Sequence, residues 1–127
     1  MRSREFISES QITLQDLYQD NFPDRQDLFW DYVGTADLNT PLEIRRISPF
    51  RLSLLLRDQY RVEDLDELWD MMTDEQKEIV NKYMMDSNLG NTTIVLSGDR
   101  IIDGNHRALA AALRKLSVNS IDLSDLD

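Results

Sequence analysis

Five consecutive residues, Asp103-Gly104-Asn105-His106-Arg107, gather a carboxylate, a glycine, an amide, an imidazole and a guanidinium at one point of the chain. They stand between a strand-like segment and the alanine-rich run Ala108-Leu109-Ala110-Ala111-Ala112-Leu113. A glycine at such a junction removes a Cβ, so a ligand can approach the backbone closely. The first-turn amides of the following helix have no partners within the helix, and with its dipole they favour an anion. A cation in that first turn sits at the wrong end of the dipole. A bound phosphate compensates for it, and Arg107 can fork onto two of the phosphate oxygens. The alternative is internal: Asp103 caps the helix and pairs with Arg107. Spacing alone leaves both open.

The elements that must position this turn follow from the pattern around it. Residues 92–96 are β-branched and apolar, Ser97-Gly98-Asp99 is a tight turn, and Arg100-Ile101-Ile102 continues as a second strand, which makes a hairpin. Residues 108–116 read as helix, and residues 118–123 as a last short strand. Upstream, Leu42-Glu43-Ile44-Arg45-Arg46-Ile47 alternates and predicts one strand ending before Pro49. Leu52, Leu54, Leu55 and Leu56 predict a helix after it. Residues 64–72 carry Leu65, Leu68, Trp69 and Met72 at helical spacing. Thr73, with Gln76 three residues on, opens another helix whose inward stripe is Ile79, Val80, Tyr83 and Met84, with Leu89-Gly90 as its end. The sequence predicts an α+β domain, a small mixed sheet packed with helices.

The first 40 residues read as an N-terminal helical arm and residues 41–127 as the domain proper. Thr13 followed by Asp16 resembles a capping box and would open a short helix carrying Leu14, Leu17 and Tyr18; a frayed end or docking arm is the alternative. Pro23, the stripe Leu28, Phe29, Tyr32 and Val33, and Gly34 predict a second helix, with Trp30 off the stripe.

Composition removes several kinds of chemistry. The chain of 127 residues has no Cys and a single His, which excludes thiolate catalysis, disulfides, Cys-based zinc sites and a multi-His metal site within one chain. The acids outnumber the bases 24 to 14, for a net charge of −10, which argues against non-specific nucleic-acid binding. Three of the bases are Lys (Lys77, Lys82 and Lys115) and the rest are Arg, the better residue for bidentate phosphate or carboxylate contacts. Five of these, Arg45, Arg46, Arg51, Arg57 and Arg61, fall in one segment: either a solvated, salt-bridged surface or a patch facing a phosphate or a protein partner. The acids of residues 63–75 lack the alternating pattern of a calcium loop and read as a solvated helix face. No apolar run is long enough to span a membrane and the N-terminal stretch does not read as a secretory signal, so a cytoplasmic protein is expected.

The run Ile101-Ile102-Asp103-Gly104-Asn105-His106-Arg107-Ala108-Leu109-Ala110-Ala111 resembles the signature of the ParB/sulfiredoxin-like superfamily. Those domains carry a hairpin, an Asp-Gly-x-x-Arg-type turn, an Ala-rich helix and a closing strand. The resemblance covers residues 92–123, extends more loosely over residues 42–56, and is absent over residues 1–40. It implies nucleotide handling at the turn, with Gly104, Asn105, His106 and Arg107 as phosphate binders and Asp103 capping the turn or orienting a magnesium-bound water. Sulfiredoxins attack with a Cys where this chain has Asn105, so sulfinic-acid repair by that route is excluded. Partition ParB proteins carry a separate DNA-binding domain, for which this chain has no room. The turn is closer to the Asp-Gly-His-His-Arg-like turn of the family's free serine kinases, departing at Asn105.

By that resemblance the expectation is an ATP- or other nucleotide-binding phosphotransferase or NTPase using Mg2+. Asp103, His106 and Glu43 are its catalytic candidates, and Arg46 or Arg51 would make a second phosphate contact. The alternative is a non-catalytic interaction module, meeting a protein partner through the N-terminal arm or residues 45–61. The N-terminal stretch is similar to openings of phage-encoded proteins, which would place it in a host cytoplasm. A nuclease or DNA-handling protein is a third reading, which the charge disfavours. An enzyme calls for Arg107 and His106 exposed in a concave site with a carboxylate in reach; a binding module is compatible with Arg107 buried against Asp103.

Overall fold

The computed structural model describes residues 11–21 and 39–126. The helix expected over residues 23–34 lies outside them. A short strand, β1 (Gln11–Thr13), runs directly into α1 (Leu14–Asn21). The Thr13–Asp16 spacing closes as a reciprocal cap. The Asp16 amide donates to the Thr13 hydroxyl at 3.2 Å, and the Thr13 amide donates to the Asp16 carboxylate at 3.1 Å.

The segment expected as one strand is two. β2 (Pro41–Glu43) pairs antiparallel with β1, whereas β3 (Arg45–Ile47) pairs antiparallel with β6 (Val118–Asp122). The chain changes partner at Ile44, which the alternation of side chains does not reveal. β6 in turn lies parallel to β4 (Thr93–Ser97), and β4 forms a hairpin with β5 (Arg100–Asp103). The four-stranded order is β3-β6-β4-β5, a mixed sheet with β3 and β5 at its edges.

The hairpin turns on Gly98, whose φ of +64° suits the two-residue loop between Ser97 and Arg100. The Asp122 carboxylate at the end of β6 accepts from the Gly98 amide at 3.0 Å and ties the loop to the neighbouring strand.

Four helices gather with Ile94, Leu96, Ile101, Val118 and Ile47, which all share one buried cluster. The first, α2 (Pro49–Tyr60), is started by Ser48, whose hydroxyl accepts from the Arg51 amide, and by Pro49, whose missing N–H costs nothing there. It buries Leu52, Leu55 and Leu56. α3 (Leu65–Met71) buries Leu68 and packs Leu65 and Trp69 against the same cluster. α4 (Asp74–Met84) opens with the expected Thr73–Gln76 capping box. It buries Val80 and rests Tyr83 and Met84 on the core, while Ile79 stays exposed. The helix ends at Met84; Leu89-Gly90-Asn91 forms a separate 3-10 turn.

The most deeply placed helix is α5 (Asn105–Leu113), with Ala108, Leu109, Ala110, Ala111 and Ala112 all buried. Its small side chains let it pack between α2 and α4 and against the sheet. A second cluster holds the alternate strand residues Val95, Ile102 and Ile121 together with Leu42, Leu123 and, from α1, Leu14 and Leu17. The two clusters draw alternate residues of β4 and β5, so both faces of the sheet are covered, as the continuous apolar run in β4 requires. The architecture is α+β, a small mixed sheet packed with helices.

Candidate functional site

The turn at residues 103–107 joins the edge strand β5 to α5. Gly104 is the N-cap residue, with φ +92° and ψ +27°, and no side chain caps the helix. Of the two roles open to Asp103, capping is not the one it fills; it pairs with Arg107. The Arg107 Nη2 group donates to Asp103 Oδ2 at 3.1 Å and Nη1 donates to the Thr92 hydroxyl at 2.8 Å. Both side chains of the pair are largely buried, 22% and 16% exposed. The guanidinium lies back over Gly104, so close that an added Cβ there would meet Nη2 at 2.9 Å and the Ile94 Cγ2 methyl at the same distance.

Asn105 and His106, the first two helical residues, face elsewhere. They line a cleft of about 320 Å³ whose other walls are Leu56 and Tyr60 of α2, Leu68 and Met71 of α3, Met72, Gln76 of α4 and Leu109. Cavities that hold small molecules start near ~300 Å³ and combine apolar walls with a few polar groups, which is the composition here. The polar groups are the Tyr60 phenol, the Gln76 and Asn105 amides and the His106 imidazole. Burial pushes the Tyr60 phenol above its ordinary value, with Arg100 opposing, so it stays protonated and can donate.

Asn105 is held from α2. The Gln59 Nε2 group donates to Asn105 Oδ1 at 3.2 Å and to the Ile101 carbonyl at 3.3 Å, and the Ile101 amide donates to Gln59 Oε1 at 2.8 Å.

Glu43 and Arg51 belong to a different cleft. It measures about 450 Å³ and is lined also by Arg45, Arg46, Ser48, Gly98, Ser120 and Asp122. There Glu43 pairs with Arg45 at 2.7 Å, and Arg51 reaches Asp99 only at 3.8 Å, both side chains mostly exposed. Arg46 is a structural tie: it donates to the Gly90 carbonyl at 2.7 Å, the Ser117 carbonyl at 3.1 Å and Asn119 Oδ1 at 3.1 Å. Arg57 likewise donates to the Ser53 and Glu63 carbonyls. Four of the five arginines of the segment are thus divided between backbone ties, Arg46 and Arg57, and surface ion pairs, Arg45 and Arg51.

The sequence-predicted residues therefore sort into three places. Asp103, Gly104 and Arg107 form an internal lock, Asn105 and His106 line the apolar cleft, and Glu43 and Arg51 line the charged one. Gln59 and Thr92 carry no local signal that would single them out, since each acts through a partner distant in sequence; Gln76 was legible only as the capping-box partner of Thr73, and Tyr60 not at all.

No carboxylate is among the described residues lining the apolar cleft, and no group of three His, Asp or Glu side chains is arranged to hold a metal ion among the described residues. Magnesium is usually held through one or two protein carboxylates together with phosphate oxygens, so this cleft's side chains do not fit a protein-held ion. Among the described residues no helix is long and apolar enough to cross a membrane. Comparison with protein-family models, curated proteins and solved structures yields no match to this chain.

Proposed function

We propose that this chain binds a small phosphorylated ligand of the nucleotide class in the cleft at the start of α5. The observation that carries the reading is the placement of Asn105 and His106. They are the first two residues of a helix whose N-terminus no side chain caps, and they form one wall of a ligand-sized, largely apolar cleft. The first-turn amides and the His106 ring would take the phosphate, and Tyr60, Met71 and Met72 would pack against the base. The order of hairpin, glycine turn, alanine-rich helix and closing strand supports membership of the ParB/sulfiredoxin-like superfamily, and with it a cytoplasmic setting.

Arg107 enters this reading as the residue that sets the turn. To clamp phosphate directly it would have to exchange Asp103 and Thr92 for ligand oxygens. Phosphotransfer or NTP hydrolysis would fall to His106, since none of the described residues on the cleft wall is an acid; Asp103 is engaged with Arg107, and Glu43 lines the other cleft.

One observation favours a second reading, a non-catalytic interaction module: Arg107 is paired internally with Asp103 rather than held open for a ligand. Titration calorimetry with ATP, ADP and CTP, each with and without magnesium, separates the two. Saturable binding to the wild type, weakened about tenfold in His106→Ala with both proteins folded, is the expected result. Absence of heat with every nucleotide would overturn the nucleotide reading and leave the interaction module.

A further inference from the structure

Gln59 lies near the C-terminal end of α2, and its carboxamide is caught between β5 and the turn. A side-chain amide offers one acceptor and one donor group on the same carbon, as a peptide does. Along β5, the outermost of the described strands on that side of the sheet, it pairs with the N–H and C=O of Ile101, as a neighbouring strand would. The polarity of the backbone therefore decides which way the Gln59 amide faces: Oε1 must meet the Ile101 N–H at 2.8 Å, and Nε2 is left on the side of Asn105. Asn105 must answer that donor with Oδ1, at 3.2 Å. Its Nδ2 group has two hydrogens, and one contact, to the Ile101 carbonyl at 3.4 Å, engages one of them.

We propose that Gln59 is a positioning residue for the cleft: it holds the Asn105 amide so that an N–H, and not a carbonyl, remains for the ligand. This rests on the phosphate-binding reading above and extends it. It assigns the anion preference of the site partly to a residue on another helix, one that fixes the polarity of Asn105 through its pairing with Ile101. An N–H suits a phosphate oxygen; a carbonyl would repel it.

The test is Gln59→Glu, read in two backgrounds with ADP as the probe. A glutamate still accepts from the Ile101 N–H but cannot donate to Asn105, so the Asn105 amide turns and presents Oδ1. ADP affinity should fall about tenfold or more, the worth of one hydrogen bond to a charged group, and the melting temperature should fall as well, because a carboxylate also cannot donate to the Ile101 carbonyl; the comparison of backgrounds separates the two effects. In Asn105→Ala the same substitution should have a much smaller effect, because no amide is left to turn. An equal fall in both backgrounds would show that the added charge acts at a distance and would overturn the proposal. Gln59→Met, which adds no charge and keeps the length, should weaken ADP by a smaller factor; unchanged affinity there would also overturn it. A wild type that binds no ADP removes the phosphate-binding reading and this one together, whereas a wild type that binds and a Gln59→Glu protein that binds equally well removes this one alone.

Discussion

The Arg107 guanidinium occupies the space that a Cβ on Gly104 would need, with Nη2 2.9 Å from that position. The glycine is thus required twice, once by its φ of +92° and once by the arginine folded over it. The second neighbour, Ile94, is fully buried and cannot withdraw as a flexible side chain would. Gly104→Ala is expected to cost about 1–3 kcal/mol of stability, combining backbone strain with displacement of the guanidinium. Gly98 makes the control: its φ is +64°, but an added Cβ meets nothing within 4 Å. Gly98→Ala should cost only the backbone part, about 1 kcal/mol. Urea unfolding of both variants measures the difference, and equal losses would mean that Arg107 simply moves aside.

The pair of Asp103 and Arg107 should be visible as a coupling. Arg107→Met leaves the largely buried Asp103 carboxylate without that guanidinium, and removes the bond to Thr92. The expected loss is about 1.5–3 kcal/mol, the range for a hydrogen bond to a charged group. Adding Asp103→Asn should recover part of it, because the neutral amide is easier to leave there. A double-mutant cycle by chemical denaturation reads the coupling. Additive losses would show that the two side chains act independently.

What the sequence made legible was local. The Thr73–Gln76 box, the Thr13–Asp16 cap and the Ser97–Arg100 hairpin each close within a few residues, so their spacing alone specifies them. The division of residues 42–47 into two strands was not legible, because it is decided by β1 and β6, far away in the chain. The same limit governs the site. The turn could be found from Gly104 and its neighbours, but whether Arg107 faced a ligand or Asp103 depended on where Thr92 would lie, and Thr92 is brought there by the sheet. Grouping Glu43 and Arg51 with the turn relied on the assumption that basic and acidic residues near an anion site share one cavity; they line another. Gln59 is the extreme case, an unremarked polar residue on a helix that acts on an edge strand 42 residues away.

Asp122 gives the fold an acid limit. Burial by itself would raise its carboxyl, but the Ser124 hydroxyl, the Gly98 and Ser124 amides and the Arg45 charge together hold it below its ordinary value. A carboxylate depressed in the folded state adds stability above its unfolded value, about 4, and loses it as pH falls toward the folded value. Asp122→Asn should therefore be less stable than the wild type at pH 6, and the gap should close below pH 4. Thermal melts at pH 3, 4 and 6 check this; a gap that persists at pH 3 would show that the loss comes from packing and not from the charge.

His106 tests the cleft without disturbing the lock behind it. Its ring lies on the cleft wall, half-buried, whereas the turn is held by Gly104, Asp103, Arg107 and Thr92. His106→Ala should therefore change stability by no more than about 0.5 kcal/mol, as expected for a side chain outside the core and its networks. Nucleotide affinity should fall about tenfold, the loss of one charge-assisted contact to phosphate. Arg107→Met should do the reverse in proportion, with a large loss of stability and a loss of affinity that follows from the loosened turn. Calorimetric affinities set beside unfolding free energies for the two variants would separate these roles. If His106→Ala unfolds as readily as Arg107→Met, the imidazole is part of the packing, and the ligand wall must be sought in Tyr60, Gln76 and Asn105.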